Sequence, residues 1–142
     1  MNVNAFIPKN YISESVFIME IYRKIAEIRT RQDADDMVDE LIDRFGDPPK
    51  ETLDLIEIAL IRGMAMKCGI FEIKQTDAGV VLKFKMPDDE MLRKLMVMAA
   101  ANSKTLRFGK GEIPTVIIRK GSVNQKDLLK YLKNLLKHLQ SE

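Results

Sequence analysis

The sequence predicts an α+β fold, in which three helices precede a ββαββα unit with a small, mainly antiparallel sheet. The spacing of apolar residues is the first reason, because near Ile70 it changes from every third or fourth position to every second position. The order of elements is the second reason, since a run of helices followed by strands with interposed helices is typical of α+β domains. The 142 residues, 46% of them hydrophobic, suffice for one domain with its own core.

Residues 1–12 are predicted to form an extended lead-in to a single domain that covers residues 13–142. Pro8 supports the extended conformation, because the residue before a proline avoids helical backbone angles. Ser13 is a candidate N-cap, and the helix that follows it is expected to run to about Ile28.

A second helix is expected between Thr30 and Gly46. Thr30 is its predicted N-cap, and Asp33, three residues later, completes an approximate capping box. Gly46 suits the position after the last turn, where glycine readily takes the left-handed conformation. Pro48 and Pro49 prevent continuation and are predicted to occupy the first turn of a third helix.

The third helix is predicted to run to about Lys67, with Gly69 closing it. Its second half is apolar nearly all round, which is typical of a helix buried on more than one side. Gly63 lies inside this half, where glycine costs up to about 1 kcal/mol relative to alanine. We therefore expect another segment to pack closely against Gly63.

The second half of the chain is predicted to form two strand pairs and two further helices. The strands IFEIKQT and VVLKFK flank Asp77-Ala78-Gly79, which suits a three-residue hairpin connection. The strands KTLRF and TVIIRK are separated by a turn at Gly109-Lys110-Gly111. Helices are predicted over Asp88 to Ala101 and over Gln125 to Gln140.

The chain shows no set of side chains for catalysis, a metal or a cofactor. It lacks a phosphate-binding loop of the GxxxxGK[ST] type. One cysteine, Cys68, and one histidine, His138, are too few for a Cys/His zinc site, and Cys68 is expected to be a buried structural thiol. Asp88, Asp89 and Glu90 would point in different directions on a helix, and the helix dipole explains them better than a metal does.

Charge is distributed unevenly, although the formal net charge is only +2. Residues 1–71 hold nine lysines and arginines against thirteen acidic residues, and residues 72–142 hold fourteen against eight. The basic second half is a mild indication of an anionic partner. No apolar run is long enough to span a bilayer and no export signal is present, so a cytoplasmic location without membrane contact is expected.

The second helix carries an acidic face, which is the first candidate functional surface. A helical wheel places Asp36, Asp39, Glu40 and Asp43 opposite the apolar residues, with Arg44 at the border. One interpretation is solvated surface on which Glu40 and Arg44 form an i, i+4 ion pair. The other is a docking face for a basic partner, because four acidic groups on one face repel one another. The residues alone leave both interpretations open.

The last helix carries the second candidate surface, a row of lysines opposite a leucine face. Four lysines fall within about 60° of one another on the helical wheel: Lys126, Lys130, Lys133 and Lys137. The row is either solvated surface or a set of phosphate contacts. No side chain is placed to stack on or read bases, so any nucleic-acid binding is expected to be weak and non-specific.

The first half of the chain contains five motifs whose order and spacing are informative. They are Phe6-Ile7-Pro8, Tyr22-Arg23-Lys24-Ile25-Ala26, Glu40-Leu41-Ile42-Asp43-Arg44-Phe45-Gly46 with Pro49, LDLIEIA from Leu53 to Ala59, and Gly69-Ile70. Together they resemble the C-terminal domain of the bacterial transcription-repair coupling factor (Mfd) family. The resemblance covers roughly residues 5–75, and the ELIDRFG string is its most specific part. Beyond that, only the pattern of strands and helices is similar.

The resemblance implies that the chain is the C-terminal regulatory domain of a larger protein, an ATP-dependent DNA translocase that couples transcription to nucleotide excision repair. It implies no chemistry and no cofactor in this chain, with ATP and Mg²⁺ belonging to the parent motor. The implied partner is the N-terminal repair-like module of the same protein, in competition with the excision-repair protein UvrA. RNA polymerase and DNA are implied as partners only through the parent.

The implied role is autoinhibition, in which the domain masks the UvrA-binding surface and restrains the motor. The ELIDR motif assigns this contact to Glu40, Asp43 and Arg44, and the helical wheel adds Asp36 and Asp39 to the same face. The alternative function is that of a weak nucleic-acid-binding module that uses the basic second half.

Overall fold

A computed structural model of the chain describes residues 5–109 and 111–140. The described residues form five α-helices, one 3-10 helix and a four-stranded antiparallel sheet, which confirms the predicted α+β fold. Contacts within the chain divide it into two compact units. We call the described residues up to 64 the helical unit and those from 65 onward the sheet unit. The single domain predicted over residues 13–142 stays a prediction.

The segment that leads into the first helix packs onto the helical unit. The Phe6 N–H donates a hydrogen bond to the Glu51 carbonyl at 3.2 Å, and the Ile7 N–H donates to the Tyr22 hydroxyl at 3.0 Å. Ile7 and Ile12 are both buried. These contacts give the lead-in hydrogen-bond partners and a share of the core. The Tyr11 and Ile12 N–H groups donate to the Pro8 carbonyl at 3.0 and 3.2 Å, so residues 9–11 form a turn and the predicted extended conformation was wrong there.

Helix α1 (Ser15–Ala26) begins two residues after the predicted N-cap. The N-cap is Glu14, whose backbone is extended and whose side chain makes no capping hydrogen bond, so the assignment of Ser13 was wrong by one residue. Ile21 and Ile25 of α1 are buried.

Helix α2 (Arg31–Phe45) has the predicted ends. The Asp33 N–H donates to Thr30 Oγ1 at 3.1 Å, and the Thr30 N–H donates to Asp33 Oδ2 at 3.2 Å, so the capping box is complete. Gly46 follows the last turn with φ of 86°, a conformation that favours glycine.

Helix α3 (Lys50–Lys67) starts directly after the two prolines. The N–H groups of Thr52 and Leu53 donate to the Pro49 carbonyl at 3.0 and 3.1 Å. Pro49 therefore immediately precedes the helix, and the prediction that both prolines lie inside its first turn was wrong.

Gly63 of α3 confirms the predicted close packing. A Cβ atom built on this residue would lie 2.8 Å from Arg29 Cα and 3.0 Å from the Ile28 carbonyl oxygen. Both atoms belong to the backbone of the link between α1 and α2, which cannot rotate away as a side chain could. The absence of a side chain at Gly63 thus lets α3 approach the link that orients the first two helices.

The sheet unit contains four strands, β1 (Ile70–Thr76), β2 (Gly79–Phe84), β3 (Leu106–Phe108) and β4 (Thr115–Arg119). Their order is β1-β2-β4-β3, and every pairing is antiparallel. The buried side chains of the sheet include Val80, Leu82, Phe84, Leu106, Val116 and Ile118.

The β1–β2 hairpin turns over two residues, Asp77 and Ala78, rather than the three predicted. Gly79 already belongs to β2, where it pairs with Thr76 on one side and Arg119 of β4 on the other. Its φ is 130°, and a Cβ atom would collide with the carbonyl oxygen of Ile118. Close approach of β4, together with the backbone angle, requires glycine there.

The sheet unit also contains helices α4 (Asp89–Ala101) and α5 (Leu128–Gln140). Asp88 is the N-cap of α4 and accepts a hydrogen bond from the Met91 N–H at 2.8 Å. A short 3-10 helix, Gln125–Asp127, replaces the predicted first turn of the last helix.

The connection between β3 and β4 was predicted as a turn at Gly109-Lys110-Gly111. Lys110 lies outside the described residues, so this prediction is tested only at its edges. The Gly109 N–H donates to the Thr115 carbonyl at 2.7 Å and extends the pairing of the two strands. Antiparallel pairing of β3 with β4 agrees with the predicted strand pair.

Candidate functional site

The predicted acidic face lies on α2 and borders charged residues of α1 within the helical unit. We call the combined surface the charged face and define it by seven residues, Glu20 and Lys24 of α1 and Asp36, Asp39, Glu40, Asp43 and Arg44 of α2. The structure divides these residues into an ion-pair network and three further aspartates.

The network joins the two helices through two carboxylates and two cations. Lys24 Nζ lies 2.7 Å from Glu40 Oε2 and 3.4 Å from Glu20 Oε2. Arg44 Nη1 lies 2.9 Å from Glu40 Oε2, and Arg44 Nη2 lies 3.0 Å from Glu20 Oε1. Each charge therefore has two opposite charges beside it, and the formal charge of the network is zero.

The predicted Glu40–Arg44 pair is thus present, and it is one of the four ion pairs in the network. Glu20 and Lys24 were not among the predicted site residues. Their i, i+4 spacing in the sequence was a signal for an intrahelical pair, but nothing local indicates that it faces α2. Between 31% and 42% of each of the four side chains is exposed, so the network remains within reach of a partner.

The hydrogen bonds of the network shift the titration of its members in the direction that favours their charged forms. The hydrogen bonds from Arg44 hold the pKa of Glu20 below its ordinary value. The hydrogen bond from Lys24 does the same for the pKa of Glu40, and that of Arg44 adds to it. The hydrogen bond to Glu40 in turn raises the pKa of Lys24. All four groups are therefore charged near neutral pH.

Arg44 is also held by aromatic rings. Its guanidinium carbon lies 5.0 Å from the ring centre of Phe45 and 5.5 Å from that of Phe17, distances typical of cation–π contacts. Tyr11 meets Phe45 edge-on at 6.1 Å, and its hydroxyl donates to the Gly46 carbonyl at 2.7 Å. The arginine at the end of α2 therefore has a fixed orientation.

The three further aspartates keep their charge unmatched. Asp39 and Asp43 are exposed and form no ion pair with any residue in 5–109 or 111–140. Asp36 is exposed and accepts a hydrogen bond from the neutral Gln32 side chain at 2.7 Å. Helical geometry explains the division, because Glu40 and Arg44 point toward α1 whereas Asp39 and Asp43 are rotated away from it.

The lysine row of the last helix is spread over two elements. Lys126 belongs to the 3-10 helix, and Lys130, Lys133 and Lys137 belong to α5. Lys133 is half-buried and the other three are exposed. The opposite face is buried, as predicted, through Leu128, Leu132, Leu135, Leu136 and Leu139.

The described residues offer little else for chemistry. Burial raises the pKa of the Cys68 thiol, and its Sγ lies 3.7 Å from the Leu136 carbonyl, which agrees with a structural role. No group of three or more His, Cys, Asp or Glu side chains within residues 5–109 and 111–140 is arranged to hold a metal ion. None of the described helices is long and apolar enough to cross a membrane.

Comparison with known proteins yields a family match and several similar relatives. The model of the TRCF domain family matches residues 1–95. The chain is 33% identical over 106 residues to the transcription-repair-coupling factor of Rickettsia bellii (strain RML369-C), which covers 73% of this chain and 10% of that protein. It is 38% identical over 82 residues to that of Staphylococcus aureus (strain USA300), with coverages of 58% and 7%.

The fold has a solved counterpart, the crystal structure of the C-terminal domain of a transcription-repair coupling factor. The TM-score is 0.83 over 98% of this chain and 88% of that chain, and the sequence identity is 24%. This likeness supports the fold, while the family rests on the sequence match. The chain spans about a tenth or less of the length of the curated relatives above. Because the family model covers more than half of its residues, the chain belongs to the TRCF domain family of transcription-repair coupling factors.

Proposed function

We propose that the chain is a regulatory, autoinhibitory interaction domain of an ATP-dependent DNA translocase that couples transcription to nucleotide excision repair. Its charged face docks on a basic surface of the N-terminal repair-like module of the same protein, masks the UvrA-binding surface there and restrains the motor. ATP and Mg²⁺ act in the motor, and RNA polymerase and DNA are engaged through the parent protein. Family membership and the exposed, unmatched charges of Asp39 and Asp43 support this proposal.

The unmatched aspartates support a docking role, because the stability of the chain does not explain them. Nearby cations are already engaged, since Lys24 and Arg44 each bind two glutamates. The remaining negative charge is therefore available to a partner with positive potential, which would set orientation and partner choice. Each exposed ion pair contributes only about 0.2–1 kcal/mol. A contact built on a few such pairs can hold an inhibited state and still be displaced by a competing partner.

The ion-pair network has a separate role in this proposal. It fixes α1 against α2 and so holds the aspartates on a rigid surface before the partner arrives, which lowers the entropy cost of docking. Glu40 and Arg44, which the family resemblance assigns to the contact, are thus coupled to the fold of the helical unit. A substitution at either position would alter the docking surface and also the ion pairs that hold α1 against α2.

The decisive experiment therefore changes the aspartates and leaves the network intact. The double variant Asp39→Asn/Asp43→Asn is titrated calorimetrically against the separately purified N-terminal module of the parent protein. Loss of two exposed pairs predicts about two- to thirtyfold weaker binding. The matched control is Asp77→Asn/Asp89→Asn, which removes the same charge from exposed positions of the sheet unit and should bind like the unaltered chain.

Two outcomes would contradict the proposal. One is an Asp39→Asn/Asp43→Asn variant that binds as tightly as the control variant. The other is the absence of any binding between the unaltered chain and the N-terminal module at low salt. A melting curve for each variant shows whether the fold is retained, because both substitutions are at exposed positions and should leave it unchanged.

The exposed lysine row supports a second candidate function, weak and non-specific nucleic-acid binding. Lys126, Lys130 and Lys137 are exposed, and a row of cations can follow a phosphate backbone. Fluorescence anisotropy with duplex DNA tests this function. It requires affinity that falls with salt, with a slope of roughly 0.9 per phosphate contact, and a shallower slope for Lys130→Gln/Lys137→Gln. No binding at low salt would exclude it.

A further inference from the structure

A groove of about 730 Å³ lies between α4 and α5 in the sheet unit. Each helix contributes one face to the groove, because the lining residues recur every three or four positions. The lining residues include Arg93, Lys94 and Val97 of α4 and Tyr131, Leu135 and His138 of α5. The groove shares no residue with the charged face.

The floor of the groove is apolar and open to solvent. Val97 is 63% exposed and so presents most of its apolar side chain to solvent. Met98 and Leu135 lie beside it and are nearly buried. A concave apolar strip with polar side chains at its edges is the usual form of a binding site, and its volume lies in the range of such sites.

The edge of the groove favours negative charge. Arg93 and Lys94 line it, and among the described lining residues Glu90 is the one carboxylate. Arg93 is exposed and forms no ion pair with any residue that the structure describes. Lys94 Nζ lies 3.5 Å from the Leu139 carbonyl at the end of α5, which places this charge close to the second wall of the groove.

We propose that this groove binds an amphipathic helix of a partner protein, with its apolar face on Val97 and Leu135 and its flanking carboxylates facing Arg93 and Lys94. Two helices side by side form a trough that accepts a third helix, whose apolar residues at i, i+3, i+4 and i+7 follow the floor. A second copy of the chain fits less well, because α5, its most sharply two-faced helix, already buries its leucine face.

The charge pattern determines which helix is favoured. A partner that carries glutamates or aspartates on both sides of its apolar stripe gains opposite charges at Arg93 and Lys94. A partner with lysines in those places meets like charges, which disfavours it. The inference is independent of the proposed autoinhibitory contact, since it concerns other residues in the other unit.

The test uses the complete 142-residue chain and two synthetic peptides labelled with fluorescein. Both peptides are about 18 residues long, enough for a stable helix, and carry leucines at i, i+3, i+4 and i+7. One has glutamates beside the leucines and the other has lysines. In anisotropy titrations we expect the glutamate peptide to bind at least tenfold more tightly than the lysine peptide.

Three variants locate the site. Val97→Glu places a charge on the floor and should abolish binding of the glutamate peptide, while Arg93→Glu should weaken it about tenfold. Lys85→Glu makes the same charge change at an exposed position outside the groove and should leave binding unchanged. Circular dichroism checks the fold. If Val97→Glu unfolds, the site is tested by comparing the affinity of Arg93→Glu for the glutamate peptide with that of Lys85→Glu.

Equal binding of both peptides at low salt would overturn the inference, and so would equal effects of Arg93→Glu and Lys85→Glu there. Sedimentation of the unliganded chain tests the competing occupant. A dimer that Val97→Glu converts to a monomer would assign the groove to a second copy of the chain and would also overturn the inference.

Discussion

The contact at Gly63 allows a direct test of how α3 packs within the helical unit. In the variant Gly63→Ala, the new Cβ atom would lie 2.8 Å from Arg29 Cα and between 3.0 and 3.1 Å from the carbonyl oxygens of Ile28 and Arg29. Favourable contacts between heavy atoms lie at about 3.5–4.0 Å, so three backbone atoms must move by several tenths of an ångström. Overpacking of this kind costs about 1–3 kcal/mol, and occasionally more.

The substitution also removes a glycine from a helix, which stabilises by up to about 1 kcal/mol. Because the three crowded atoms are all backbone, the overpacking cost should lie in the upper part of its range, about 2–3 kcal/mol. Gly63→Ala is therefore predicted to lower the free energy of unfolding by about 1–2 kcal/mol. With a urea m-value of about 2 kcal/mol/M, the midpoint of unfolding should fall by roughly 0.5–1 M. Arg62→Ala is the matched control, since it places alanine at the exposed neighbouring position and should change stability by less than about 0.5 kcal/mol.

A Gly63→Ala variant as stable as Arg62→Ala, or more stable, would refute this account of the packing. Either result would mean that the link between α1 and α2 can yield to a methyl group at little cost. The change in the free energy of unfolding would then reflect only the higher helix propensity of alanine relative to glycine.

Three further predictions concern the helix cap, the hairpin and the ion-pair network. Thr30→Ala should lower the free energy of unfolding by about 1 kcal/mol in a thermal melt, whereas Thr30→Ser, which keeps the capping oxygen, should lie close to the unaltered chain. Gly79→Ala should cost more than Gly63→Ala in urea unfolding, because it adds an unfavourable φ to a collision with the carbonyl of Ile118. The lowered pKa values of Glu20 and Glu40 predict a stabilisation that is fully present above the unfolded-state pKa of about 4.3 and is lost as the pH falls through the folded values. Stability measured from pH 7 to pH 2.5 should therefore fall less steeply in Glu40→Gln than in the unaltered chain.

The features of the fold that depend on neighbouring residues in the chain could be predicted. The capping box of Thr30 and Asp33 is local, and so is the change in apolar period near Ile70. The N-cap of α1 was misplaced by one residue, because capping was assigned by residue type and α1 uses Glu14 without a side-chain cap. The start of α5 was placed three residues early, because a 3-10 helix occupies Gln125–Asp127. The hairpin was predicted one residue too long because Gly79 was attributed to the turn. Its conformation instead serves the approach of a third strand, which no local pattern reveals.

In the candidate site, too, a contact within one helix could be predicted from the sequence, whereas contacts between helices could not. The sequence places Glu40 and Arg44 one helical turn apart, and their ion pair follows from this spacing. The participation of Glu20 and Lys24 depends on the way α1 meets α2, so the helical wheel of α2 alone overstated the acidity of its face. That the charged face is an interface remains a prediction, and the aspartates rotated away from α1 are its most direct test.

Salt dependence separates the two proposed surfaces, because they rest on different forces. Exposed charges such as Asp39 and Asp43 are screened over about 10 Å at 0.1 M salt and about 3 Å at 1 M, so a contact that depends on them should weaken steadily as salt is added. The groove at Val97 offers apolar area, whose burial is not weakened by salt in this way. Binding of the glutamate peptide should therefore lose its preference over the lysine peptide at high salt while both peptides still bind. A docking partner of the charged face should instead dissociate at high salt.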